Sequence, residues 1–301
     1  TGNNNTAIGD EALSACTEGF RNTAVGASTL VSLTTGDNNV AVGADALEAT
    51  TTGNDNVAVG FDALTANTTG SHNTAVGDSA LETSTADNNT AVGADALKAN
   101  TTGTRNVAVG SEALDASTTA DDCTAVGYQA LTNNTTADDN TAVGRQSLFS
   151  NTTGASNTAA GKDALRQNTT ASHNTSVGFQ GLYSNTTGTT NTALGSNALF
   201  ANTTGSSNVA VGSYALDANT TGGNNTAIGR SALTNNTDGG SNVAVGRVAL
   251  NALTSGSQNV AVGSEALEKF TTGNSNTAIG YQALEETTTG TKNVAVGANA
   301  L

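Results

Sequence analysis

The tripeptide AVG, or a near variant, closes on Gly9, Gly26, Gly43 and Gly60 and continues to Gly297, eighteen copies in 301 residues. Sixteen of the seventeen intervals are 17 residues long, and the other, Gly77 to Gly93, is 16. A fixed period this short constrains the fold more than any other feature. One repeat is too small to bury its own apolar side chains, so repeats must stack and form a common core. The consensus is N-[TV]-A-V-G-x-x-A-L-x-x-N-T-T-G-x-x, and no break divides it, so residues 1–301 read as one repetitive domain without a linker.

Each column carries its own physical demand. Leu fills one position in all 18 copies, Leu13, Leu47, Leu114, Leu148, Leu216 and Leu284 among them. One invariant Leu per repeat reads as a core ladder, worth about 1.5–3 kcal/mol per buried side chain. The residue before it is always Ala, Ser, Thr or Gly. The AVG glycine, as at Gly60, Gly110 and Gly144, never varies, which points to a corner needing positive φ or close backbone approach. The later glycine gives way to Ala86, Ala120, Ala137 and Ala171, so its column does not require a left-handed backbone. Thr opens the TT pair in all 17 complete copies, Thr152 included. Asn precedes the strand in 17 of 18 copies, as at Asn140 and Asn157, with Cys123 the exception. Identical polar side chains stacked coil on coil can bond along a ladder. Charges and the ten aromatic residues fall in variable or weakly held columns, which read as solvated.

The segment [TV]-A-V is β-prone and bounded by Asn and Gly. The stretch G-x-x-A-L-x-x-N suits a second strand or one helical turn, and it is too short for a helix of its own. The fold expected is all-β, a parallel β-solenoid or β-roll of about 18 coils with a 17-residue repeat. Seventeen residues are expected to give a coil of two or three short strands, and at about 4.8 Å per coil the stack would be a rod roughly 85 Å long. A leucine-rich-repeat horseshoe needs several leucines per repeat and is set aside. In NVAVG copies, Asn56 to Gly60 for example, both valines point one way and Ala the other. Both faces of the strand are then apolar, the mark of burial on both sides, so one face is expected to meet another chain. The competing reading is an exposed face kept soluble by Thr, present in 11 of 18 copies.

Chemistry is sparse. A formal charge of −15 with ten scattered Lys and Arg argues against a nucleic-acid partner. No run approaches the ~20 apolar residues of a membrane span, so membrane insertion is not expected. His72 and His173 occupy one column six coils apart, about 29 Å by strand spacing, too far to share a metal. Cys16 and Cys123 are similarly separated, beyond disulfide reach. Acidic doublets Asp121-Asp122 and Asp138-Asp139 stand on adjacent coils, where a solvated corner competes with weak Ca²⁺ binding. No nucleophile, phosphate-loop or Cys-x-x-Cys motif occurs. The expectation is therefore no enzyme activity, no metal and no cofactor. Eight NTT triplets are glycan acceptor motifs, yet Leu33, Thr50 and Phe270 replace the Asn elsewhere, so the triplet reads first as a corner.

The segments NVAVGSEAL (Asn106 to Leu114) and TAVGYQAL (from Thr124) resemble the VAIG repeats in the heads of trimeric autotransporter adhesins. With the NTTG corner they are also similar to repeats of phage tail fibres and surface proteins. The resemblance spans every repeat through a short motif. It implies a left-handed β-roll, a homotrimer and an attachment role outside the cell or on a virion. The 17-residue repeat is longer than the usual head repeat, and no coiled-coil stalk, membrane anchor or chaperone domain lies within these residues.

Three functions follow as expectations. The first is a rigid structural segment of an extracellular fibre, associating with itself as a homotrimer, laterally, or head to tail through uncapped ends. The second is an adhesin head binding a host-surface glycan or protein through variable columns between Tyr128 and Tyr214. The third is ice binding, disfavoured because adjacent threonines in a strand face opposite ways and leave one outward rank.

Overall fold

The computed structural model describes residues 2–301 as two compact units, 1–153 and 154–301. Each is a parallel β-solenoid, without helix among the described residues. The first unit holds nine three-residue strands, β1 (Thr6–Ile8) to β9 (Thr141–Val143), and the second another nine, β10 (Thr158–Ala160) to β18 (Val294–Val296). Within each unit every strand pairs in parallel with its successor, and residue pairs with residue one repeat on, as Thr23 with Val40 and Ala24 with Ala41. The 16-residue interval keeps this register, Thr74 facing Thr90. The all-β solenoid and its repeat are thus as the periodicity requires.

Each coil contains a single strand rather than two or three. The stretch after the AVG glycine is neither strand nor helix but a chain of turns. Its reason lies in backbone torsions. The AVG glycines have φ between 130° and 142°, the second residue after each lies near 55°, and every ladder Leu lies between 48° and 56°. These left-handed residues bend the chain while leaving peptide groups aimed along the stack. The Leu114 N–H donates to the Ala130 carbonyl at 3.0 Å, and the Gly110 N–H to the Val92 carbonyl at 2.8 Å. The corners are therefore hydrogen-bonded from coil to coil much as the strands are.

This explains the Leu column. Left-handed backbone costs a non-glycine residue roughly 1–2 kcal/mol, which burial of Leu offsets. A β-branched side chain fares worse there, so Val and Ile, abundant in the strands, never enter the column. The AVG glycine is fixed more tightly still: a Cβ on Gly110 would stand 2.5 Å from the Gly127 carbonyl oxygen. The softer glycine column has ordinary φ in most coils, but Gly256, Gly273 and Gly290 lie at 140–144°, a correction to the reading of that column. There Ser255, Thr272 and Thr289 form isolated parallel bridges.

The apolar part of the core is nearly all Ala and Leu. The central residue of each strand points inward, and Ala41, Ala108 and Ala210 are fully buried beside Leu47, Leu114, Leu148 and Leu216. Leu284 is 5% exposed, and Leu13 is half-buried. One coil shows how tight the packing is. Ser176 replaces the strand Ala, and the residue before its Leu is Gly181, where a Cβ would stand 2.5 Å from the Ser176 hydroxyl. Phe270, in a column read as solvated, is fully buried, because that column faces inward as described below.

Leu114→Met should cost under about 1.5 kcal/mol, as volume-conserving swaps do. Leu114→Ile, equal in volume, should cost clearly more because of its left-handed backbone, and Leu114→Ala about 2–5 kcal/mol. Equal denaturant midpoints for the Met and Ile variants would remove the torsional explanation.

Candidate functional site

Two asparagine ladders account for most of the polar columns. The Asn before each strand is buried in all but the two end coils, Asn140 and Asn157 included. The Asn39 Oδ1 accepts the Asn56 backbone N–H at 3.0 Å and its amide at 3.2 Å, while Asn56 Nδ2 also donates to the Gly70 carbonyl at 2.8 Å. Asn157 donates to the Ala171 carbonyl at 2.9 Å. A buried amide left unpaired would cost about 1–3 kcal/mol, so each coil depends on the next. At Cys123 the thiol takes the amide's place and donates to the Ala137 carbonyl at 3.3 Å. Burial pushes its pKa up to about 12, so it is an inert packing group and not a nucleophile. Cys16 is half-buried, and both cysteines are free.

The second ladder is the NTT asparagine itself. Asn67, Asn100, Asn151, Asn185 and Asn219 are fully buried. Asn202 Nδ2 donates to Asn185 Oδ1 and to the Gly205 carbonyl, both at 2.9 Å. A glycan cannot be attached to these amides in the folded chain. The ladder stops where the column changes: Asn236 precedes Leu253 and Asn100 precedes Ser117, and both Asn Oδ1 atoms are buried without a partner. The first Thr of each pair forms a third ladder, with Thr135 Oγ1 donating to the Thr152 carbonyl at 3.1 Å and Thr203 to Thr220 at 3.0 Å.

The acidic doublets have structural partners. Asp121 accepts the Thr104 N–H at 2.6 Å, and Asp138 accepts the Asp121 N–H at 2.8 Å. Arg105 grips Asp122 at 2.6 and 2.9 Å, and that hydrogen bond holds the Asp122 carboxyl below its usual range. Asp139 has left-handed backbone. His72 stands 3.8 Å from Asp55, and His173 is exposed. Among the described residues one trio of carboxylates, Glu265, Glu268 and Glu285, converges, with Glu265 bonded to Arg247 and to Gln282. No helix among the described residues is long and apolar enough to cross a membrane.

Two surfaces remain. In the second unit Lys162 lies over the Phe179 ring at 5.5 Å, and Arg166 donates to the Tyr183 hydroxyl at 3.1 Å. Tyr183 stacks on Phe200 with centroids 5.2 Å apart. The other surface is the outer side of the strands, where each presents Thr or Val at its first position and Val, Ile, Leu or Ala at its third. No charged residue stands at either position in any strand. Val42, Val143, Val177, Leu194 and Ile279 are 37–42% exposed. The outward column is therefore the aliphatic one, and the core takes the Ala.

A scan against protein-family models and a search of curated proteins find no match to the chain.

Burial holds the Asp217 carboxyl above its usual range, and its Oδ1 has no partner. A carboxyl raised on folding favours the folded state while protonated, and that contribution is lost as pH rises above its unfolded value. Asp217→Asn should therefore raise the melting temperature at pH 7 and converge with wild type near pH 3. A constant difference across that range would exclude the carboxylate as the cause.

Proposed function

We propose that this chain is a non-catalytic structural or adhesive segment of an extracellular fibre or surface appendage, whose uniform coils form a stiff scaffold that associates with further copies of itself. The observation that carries the reading is where the near-invariant side chains go. Leu, both Asn columns, the first Thr and the AVG glycine are all occupied by contacts between one coil and the next. Side chains committed in this way hold a shape and leave little for a reaction. The resemblance to adhesin heads and tail-fibre repeats agrees with a place outside the cell or on a virion, and internal ladders suit a segment that must stay folded there.

A second reading is favoured by the ring and cation group of Lys162, Arg166, Phe179, Tyr183 and Phe200. These residues stand in variable columns, where an adhesin head would recognise a host-surface glycan or protein. Immunogold labelling of intact producing cells or particles, with an antibody raised against the folded chain, tests the principal reading. Gold on filaments or projections is the expected result, and gold only in opened cells would overturn it.

A further inference from the structure

We propose that Lys162, Arg166 and Phe179 form a binding site for an acidic oligosaccharide, a carboxylate-bearing sugar chain that lies along the stack of the second unit. The inference rests on the second reading, that these rings and cations recognise a ligand, and it names the chemical class of that ligand.

Charge gives the first argument. The chain carries 25 Asp and Glu against ten Lys and Arg, yet none of the acids stands between Asp163 and Asp217, the longest such interval in the sequence. Asp163, at its edge, lies beneath two cations. Its carboxylate oxygens are 3.8 Å from Lys162 Nζ and 3.5 Å from Arg166 Nε. The Asp163 side chain is 10% exposed, against 49% for Lys162 and 29% for Arg166. A ligand arriving from solvent therefore meets the cations and not the carboxylate. On a chain of formal charge −15, an anion is repelled from most of the surface and admitted here.

Shape gives the second. Phe179 is 44% exposed. Lys162, one coil before it in the same column, stands over the ring with Nζ 5.5 Å from the centroid. The coil after it offers Ser196 in that column, whose hydroxyl donates to Asn197 Oδ1 at 2.9 Å and is too short to cover the ring. One face of Phe179 is thus open. Tyr183 differs, because Arg166 lies over its ring from the coil before at 5.9 Å and Phe200 stacks on it from the coil after at 5.2 Å. Tyr183 and Phe200 hold the guanidinium in place, and Phe179 receives the ligand.

A sugar ring offers a C–H face that packs on an open aromatic face, and an acidic sugar adds the carboxylate that the two cations attract. Lys162 and Ser196 stand two coil spacings apart, about 9.6 Å, so the charged sugar and the ring-packed sugar belong to one short chain. Nucleic acids, with a charge on every unit, need a longer run of cations than this pair.

The test is isothermal titration of the full chain with two probes, a galacturonate hexasaccharide and sialyllactose, each beside its methyl ester. At least one acid should bind, and its ester, which keeps the sugar and loses the charge, should bind about tenfold more weakly. Lys162→Gln should weaken binding of the acid about tenfold, and Phe179→Ala should weaken acid and ester alike. Lys292→Gln, which removes the same charge from a remote coil, should change neither. Circular dichroism and melting of each variant confirm that these exposed substitutions leave the fold intact. An ester as tightly bound as its acid, or wild-type affinity in Lys162→Gln, would overturn the acidic class, while a loss in Phe179→Ala would keep the ring as a recognition site. Binding to neither acid at millimolar concentration would overturn the proposal and leave the second reading to a protein ligand. Wild-type behaviour of Phe179→Ala on every probe that binds would overturn both. None of these outcomes bears on the surface location read by immunogold labelling.

Discussion

Every coil has to turn through a full circuit while its peptide N–H and C=O groups stay aligned with the direction of stacking. That constraint governs the rest of the structure. A right-handed turn would swing the peptide planes away from the axis and strand their polar groups in the core, each at a cost comparable to a lost hydrogen bond. Left-handed residues solve the problem at fixed places. Glycine serves where the neighbouring coil's carbonyl leaves no room for a Cβ, mostly polar residues serve at the outer bends, with Tyr214 and Val248 the exceptions, and Leu serves where the bend faces inward. The strain is compensated locally, because the inward bend is also where apolar burial is available.

Much of this could be read from the sequence, and the remainder was hidden for definable reasons. Period, parallel stacking and the [TV]-A-V strand follow from spacing and β-propensity alone, whereas the stretch from the AVG glycine to the next Asn was open between a second strand and a helical turn and is neither. The Leu column was legible as a core ladder but not as a torsional site, because a buried residue and a left-handed one leave the same invariance. The clue was present in the exclusion of Ile and Val from a position that otherwise asks only for an aliphatic side chain. The NTT asparagine was legible as a corner, and its replacement by Leu33 and Phe270 already hinted at an inward column. Which face of the strand held the core could not be decided from alternation, since Ala and Val are both apolar. It is settled by burial: the central Ala is fully buried in nearly every strand, while the residues on either side of it stay half-exposed.

The polar candidates teach a related lesson. Asp121 and Asp138 look like a cation site when written as DD doublets one repeat apart. In place, each carboxylate accepts the backbone N–H of the coil before it, the role that Ser and Asn fill at the same corner elsewhere, as Ser206 does for Thr189. Repetition makes every side chain the neighbour of its own counterpart, so a cluster of like residues is the ordinary state of such a chain. Departures from the column average, such as Cys123 and Ser176 with Gly181, carry more information than the columns themselves.

The amide ladders also have a direction. Each Asn donates to the one before it, and Oδ1 atoms look forward along the chain throughout. A coil carrying both asparagines therefore turns its amide donors toward the coil before it and its Oδ1 acceptors toward the coil after it, and one such coil can stand in for another. Loss or duplication of 17 residues within a run of matching coils, as from Asn168 to Asn219, would rejoin all three ladders without an orphaned group. Length is then a quantity that inheritance can change in single steps, as a ruler is cut at its own gradations.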